Sequence, residues 1–293
     1  GSRALSFDIA GKPVAVRLPD AGRHLAARAA GRYREFLSPG VMRGEGGAEP
    51  FGLELDVSPG PLPEGAHPEW VDNPALEADG DLSRMGIRGD GFELELDWER
   101  RTGRGRIPDA LSHLDLAVRV ALGVELLPEG DTLLHAGGVV RDTWGLAFAG
   151  PSGAGKSTIV RLCRESGCRS LGDDLIAFRR HRLASRIHGS PFWQGENASA
   201  PGGGLFVLAQ GDEPRVDWLH PSEAVAPVLA AGGAPVDLPE VQRAFFEAVS
   251  GIVRHVPAYR LTFRPDTSFW DAIDARPEFS FFRPGGARAR LSS

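Results

Sequence analysis

Residues 150–157 read Gly-Pro-Ser-Gly-Ala-Gly-Lys-Ser and are followed by Thr158. The stretch fills every required position of G-x-x-x-x-G-K-[ST], a loop whose backbone N–H groups close on phosphate oxygens. Its chemistry depends on these residue types. Glycines permit close wrapping, the helix that follows adds positive potential, the lysine reaches the β- and γ-phosphates, and the hydroxyl can ligate Mg²⁺. Candidate nucleotide contacts are therefore Gly150, Ser152, Gly153, Ala154, Gly155, Lys156, Ser157 and Thr158. The flanks suit the motif: residues 145–149 are apolar and read as a strand, and 156–163 read as the first turns of a helix. A chance glycine-rich turn is the alternative, and the strand–loop–helix context disfavours it. The motif implies binding of a nucleoside triphosphate such as ATP.

A phosphate loop alone does not choose a chemistry. The chain carries no Asn-Lys-x-Asp, no Leu-Ser-Gly-Gly-Gln, no apolar run ending in Asp-Glu, and no His-Arg-Asp or Asp-Phe-Gly motif. Gly172-Asp173-Asp174, followed by the apolar run 175–178, is the acidic candidate. Neighbouring residues at a strand edge face opposite sides. One carboxylate can then serve the metal shell while the other meets an incoming hydroxyl as general base. Asp-Asp is also an ordinary turn pair.

Leu134-His135-Ala136, the paired strands after it, the loop at 150–157 and Gly172-Asp173-Asp174 resemble, in order and spacing, the core of the HPr kinase/phosphorylase family. The resemblance is closer to the HPr-kinase-related branch, which includes serine kinases associated with modified peptides. It is strong over residues 130–200. It implies a fold similar to phosphoenolpyruvate carboxykinase, a mixed sheet flanked by helices. It also implies transfer of phosphate from ATP, with Mg²⁺, to a serine of a peptide or protein acceptor. By resemblance Lys156 and Ser157 hold phosphates and metal, Asp174 joins the metal set, one of Asp173 and Asp174 activates the serine, and His135 lies beside them.

The chain departs from that pattern in two places. Thr158 stands where the family has Glu, and 186–191 read Arg-Ile-His-Gly-Ser-Pro in place of Glu-Ile-Arg-Gly-Leu-Gly. Arg186 and His188 thus replace a carboxylate and an arginine, so HPr recognition and the reverse phosphorolytic reaction are not implied. Glu196 is the candidate to supply the missing acid as a metal ligand, with a solvated loop glutamate as the plain alternative. Phosphorylation of a small molecule and a non-catalytic ATP-responsive module both stay open. So does homo-oligomer formation.

The elements must position these residues. With 293 residues, 42% hydrophobic and 25% charged, the chain can build two globular domains. The expectation is a smaller β-rich α+β domain over 1–105 and an α/β kinase domain over 106–293. A net charge of −6 argues against general nucleic-acid binding. Without an apolar stretch of membrane length or a signal-type h-region, the expected location is cytoplasmic. Cys163 and Cys168 read as two thiols kept reduced. Period-two patterning predicts strands at 5–9, 14–18, 51–57 and 92–98, and helical spacing covers 23–36. Residues 58–73 read as a loop and 100–106 as a basic linker. Pro108 opens a helix through 127. Strands follow at 133–141, 146–149, 170–178 and 259–263, with a hairpin tip at 179–182. Helices are expected at 222–231, 239–256 and 268–275, and 202–204 is a glycine run. Phe192 and Trp193 read as adenine-stacking, acceptor-shaping or core residues, and Arg260 or Arg264 as reaching toward the γ-phosphate.

Overall fold

The structure, a computed structural model, describes residues 3–38, 49–59, 76–89, 91–181, 184–193 and 195–282. The chain divides into two compact units, Gly1–Thr132 with Gly233–Glu247, and Leu133–Gly232 with Ala248–Ser293.

The first unit holds β1 (Arg3–Ile9), β2 (Lys12–Leu18), α1 (Arg23–Arg32), β3 (Phe51–Ser58), β4 (Glu77–Gly80), β5 (Arg84–Gly89), β6 (Phe92–Asp97), β7 (Thr102–Pro108) and α2 (Leu111–Leu126). Its seven-stranded mixed sheet runs β1-β2-β3-β7-β6-β5-β4, parallel at β2/β3 and β3/β7. Alternation decides the faces: Phe51, Leu53 and Leu55 of β3 and Phe92, Leu94 and Leu96 of β6 are buried, while Glu54, Asp56, Glu93 and Glu95 face out. Helix α2 is buried along nearly its whole length. Its Asp115 accepts hydrogen bonds from the buried Tyr33 hydroxyl at 2.7 Å and from Arg32 at 3.1 Å.

Three expectations differ from the fold here. Residues 100–106 are not a linker, because β7 occupies the sheet between β3 and β6. Two of its three inward positions, 103, 105 and 107, are glycine, which leaves too little apolar alternation to read, and its outward Arg104 and Arg106 stand opposite Glu95 and Glu93. The boundary expected at 105/106 falls within β7, and the compact units divide at Thr132/Leu133, within the strand Thr132–Leu134. Pro108 ends β7 rather than opening a helix. The expected loop at 58–73 lies outside the described residues beyond 59.

The second unit contains β8 (Thr132–Leu134), β9 (Ala136–Arg141), β10 (Trp144–Ala149), α3 (Lys156–Glu165), β11 (Arg169–Gly172), β12 (Ile176–His181), β13 (Ala184–His188), β14 (Ser199–Gln210), β15 (Arg215–Leu219), α4 (Pro221–Ala231), β16 (Ala258–Phe263) and α6 (Phe269–Asp274). Helix α5 (Pro239–His255) has its first residues grouped with the first unit and its last with the second. The nine-stranded mixed sheet runs β11-β9-β10-β14-β13-β12-β8, with β16 on β14 and β15 on β16. β10, β14 and β16 are parallel neighbours, so Ala149, Gln210 and Phe263 end at the same edge. The core is aromatic: Phe206 stacks on Phe148 at 5.6 Å and on Tyr259 at 5.5 Å, with Ile159 and Leu162 of α3 in the same cluster.

The strand expected at 133–141 is interrupted at His135, and that at 170–178 breaks at residues 173–175. The glycine run 202–204 belongs to the twelve-residue β14. The hairpin forms from β12 and β13 with Arg179 opposite Arg186, and residue 182 of its expected tip lies outside the described residues. Among the described residues no helix is long and apolar enough to cross a membrane.

Candidate functional site

β10 delivers the chain, buried through Ala149, into the turn made by Gly150, Ser152, Gly153 and Ala154. Gly155 closes the turn at φ 101, and a Cβ there would lie 2.7 Å from Phe263 Cζ. Glycine is needed on both counts. Helix α3 begins at the next residue, so its N-terminus faces the loop. Gln210 Nε2, at the end of β14, donates to Gly153 O at 2.9 Å and ties the loop to the sheet. Lys156 is buried, its Nζ donating to Gly150 O at 2.7 Å and Pro151 O at 3.3 Å. Burial lowers its pKa, while the charge of Asp174 acts the other way.

The break between β11 and β12 presents the two aspartates. Asp173 lies beside the Ser157 side chain, and among the described residues its buried Oδ1 has no partner. Burial pushes its carboxyl pKa up; the Ser157 side chain opposes this, and the charge of Asp174 adds to it. Asp174 Oδ1 lies 2.8 Å from His135 Nε2, and His135 Nδ1 lies 2.7 Å from Ala231 O. Both ring nitrogens thus face oxygen. Ala231 is the last residue of α4. A Cβ at Gly232 would lie 2.4 Å from His135 Cβ, so only glycine lets the chain leave α4 past this ring.

The structure brings together Lys156, Ser157, Asp173, Asp174 and His135. Glu196 is not with them: its carboxylate accepts from Arg169 Nε at 3.2 Å and from the Ser170 amide at 3.4 Å, at the opening of β11. Of the expected metal set, Glu196 thus stands apart from Ser157 and Asp174, and Asp173 lies beside the Ser157 side chain. Phe192 is core, whereas Trp193 is partly exposed with φ 76. Arg264 pairs with Asp266.

A cleft of about 420 Å³ opens beside the loop, lined by Thr158, Gln210, Asp212, Phe263 and Arg264 among others. Of these residues sequence reasoning singled out Thr158 as a nucleotide contact and Arg264 as reaching toward the γ-phosphate. Gln210, Asp212, Ala231 and Gly232 join the site through strand ends and a helix end, and no local motif marks them.

Among solved structures the chain is similar to the HPr(Ser) kinase/phosphatase from Coxiella burnetii, at 11% identity, covering 45% of this chain and 85% of that one with a TM-score of 0.28. No family model and no curated protein matches the chain.

Proposed function

We propose that the second unit binds ATP with Mg²⁺ and transfers the terminal phosphoryl group to a serine hydroxyl of a peptide or protein acceptor, with a fold of the HPr-kinase type. The observation that carries this reading is the division of labour between adjacent carboxylates. Asp173 lies beside Ser157, and Asp174 Oδ1 lies 2.8 Å from His135 Nε2. Two acids in different environments can take different roles in one reaction.

The residues present fit the ligands. An unpartnered buried carboxylate oxygen costs about 1–3 kcal/mol, and Asp173 Oδ1 is such an atom, next to the Ser157 hydroxyl. Ser157 and Asp173 would hold Mg²⁺, with phosphate and water completing its shell. A bound Mg²⁺ would neutralise charge on the β- and γ-phosphates. The phosphates rest on the loop amides, and Lys156 exchanges its bonds to Gly150 O and Pro151 O for phosphate oxygens. The nucleoside extends past Thr158 into the cleft edged by Gln210 and Asp212.

In the transfer the serine oxygen forms a bond to the γ-phosphorus, the bond to the departing ADP oxygen breaks, and Asp174 takes the hydroxyl proton. His135, held by Ala231 O, orients Asp174. Lys156 stabilises the charge that builds on the phosphate oxygens. The first unit selects the acceptor.

The test uses labelled ATP and Mg²⁺ with serine-bearing peptides, followed by mass mapping of the modified residue. Asp174→Asn is expected to bind ATP and transfer nothing. Full transfer by that variant would overturn the role of Asp174, and absence of ATP binding by the unaltered chain would overturn the reading of the loop.

A further inference from the structure

Cys163 and Cys168 are the two cysteines of the chain, and neither enters the chemistry above. Cys163 lies on the buried side of α3, in the core cluster with Ile159, Val160 and Leu162. Cys168 packs against the same cluster but is only partly buried. The helix closes between them: the amides of Ser166 and Cys168 both donate to Cys163 O, at 3.1 and 3.0 Å, and Gly167 takes φ 91. This turn folds the chain back on itself and brings Cys163 and Cys168 against the same cluster. β11 starts at once, with Arg169 opposite Val140 of β9, a register that sets Cys168 alongside Arg141. The Arg141 guanidinium is fixed by Asp274 at 2.7 and 2.9 Å and lies 4.1 Å from the Trp270 ring centre. A held cation thus stands by one accessible sulfur and one enclosed sulfur.

We propose that Cys163 and Cys168 are a redox-active dithiol that closes to an intramolecular disulfide when the chain meets a low-molecular-weight disulfide such as oxidised glutathione. Accessibility sets the order of events. The Cys168 thiolate attacks one sulfur of the oxidant, the oxidant's S–S bond breaks, and one glutathione thiolate leaves. Cys163 then gives up its proton and attacks the Cys168 sulfur of the mixed disulfide, releasing the second glutathione. The protein loses two electrons and two protons, and the oxidant becomes two thiols. The local chemistry agrees with these roles: the Cys163 side chain lowers the Cys168 pKa, while burial raises that of Cys163. The site lies at the far end of the helix that starts at Lys156, and the inference is independent of any reading of the phosphate loop.

The full chain is treated under native conditions with oxidised glutathione, then analysed by intact mass and non-reducing peptide mapping. The expected product is lighter by two hydrogen atoms, carries a link between residues 163 and 168, and reverts with dithiothreitol. A Cys163→Ser chain is expected to stop at one stable glutathione on Cys168. The proposal is overturned if the unaltered chain keeps glutathione on Cys168 without forming the link. Thiols that react only after unfolding, or a link only between two chains, would also overturn it. The unaltered chain alone decides, so a poorly folding variant does not leave the question open.

Discussion

The outer face of the first unit's sheet and the loop edge of the second unit's sheet are both rich in charge, but they treat it in opposite ways. On the first, Glu54 meets Arg17 at 2.8 Å and Arg104 at 3.3 Å, and Arg88 meets Asp79 at 2.7 Å. This face holds a cleft of about 590 Å³, roomier than the one beside the phosphate loop, lined by both signs including Asp56, Glu93 and Arg106. At the loop edge Lys156 bonds the carbonyls of its own loop, and among the described residues a buried oxygen of Asp173 has no partner. Glu125 in the first unit also has an orphaned oxygen, but its other oxygen is met by Arg101 at 2.7 Å. Size therefore does not locate the reactive region. Cross-strand charges that cancel are a way of building a soluble sheet face, whereas polar groups held apart from their complements are poised for a ligand.

The largest effect that would test this contrast is on catalysis. Asp174→Asn is expected to lower kcat by about 10³-fold, within the range for loss of a general base, with ATP affinity kept, as read by isothermal titration and phosphate transfer. His135→Gln acts through Asp174 and is expected to cost about tenfold, a fraction of the general-base effect. Its signature is a displaced acid limb of the pH–rate profile, which a purely structural role would not produce.

Asp173→Asn separates function from stability. Burial raises the folded carboxyl pKa above its ordinary 3.8, so the folded state binds this proton more tightly than the unfolded chain does. Stability then falls as pH rises from below 3.8 through the raised value, and the deficit persists at neutral pH. Asparagine removes the deficit. The expected outcome is a higher thermal midpoint at pH 7 without ligand, together with loss of any midpoint increase from Mg²⁺ and ATP. A lower midpoint would mean that Asp173 is a structural acid, like Asp115.

Much of this arrangement was legible in the residues. The strand–loop–helix around Lys156 and the adjacent Asp173-Asp174 were readable because phosphate binding and general-base chemistry dictate residue types at short spacing. Strands β1, β2, β3 and β6 were readable because half-buried strands alternate. What escaped was set by tertiary partners. β7 carries glycine at two of its three inward positions, and β14 has a proline and three glycines at 201–204 near its start, so neither writes an apolar period. Their strand character comes from pairing on both sides. Glu196 could not be placed from sequence because its partner, Arg169, is brought to it by the loop after β13 folding back on β11. The same holds for Ala231 O, a backbone atom that no side-chain pattern announces.

A smaller effect lies in the hairpin of the second unit. His188 at the end of β13 has its pKa lowered to about 4, first by burial and then by the charges of Arg179, Arg186 and His181. Its ordinary value is 6.5, so the unfolded chain binds the proton more tightly. The stability held above pH 6.5 is lost progressively as pH falls through about 4. His188→Gln is expected to flatten thermal midpoints across that window and leave them unchanged above it. An unaltered slope would show that the acid limb belongs to other groups.

The smallest effect belongs to the compensated face. Glu54 is half exposed and its two arginines more so, with Arg17 at 58% and Arg104 at 80% side-chain exposure. Exposed pairs of this kind contribute about 0–1 kcal/mol, and salt screens them over roughly 8 Å at physiological ionic strength. Glu54→Gln is therefore expected to cost less than about 1 kcal/mol in denaturant unfolding, with the difference fading as salt is added. The argument depends on redundancy, because Glu95 stands opposite Arg104 and keeps a negative charge in reach when Glu54 is neutralised. A cost of several kcal/mol that survives high salt would mean that Glu54 is a keystone of the sheet, and charge compensation would no longer distinguish this face from the loop edge.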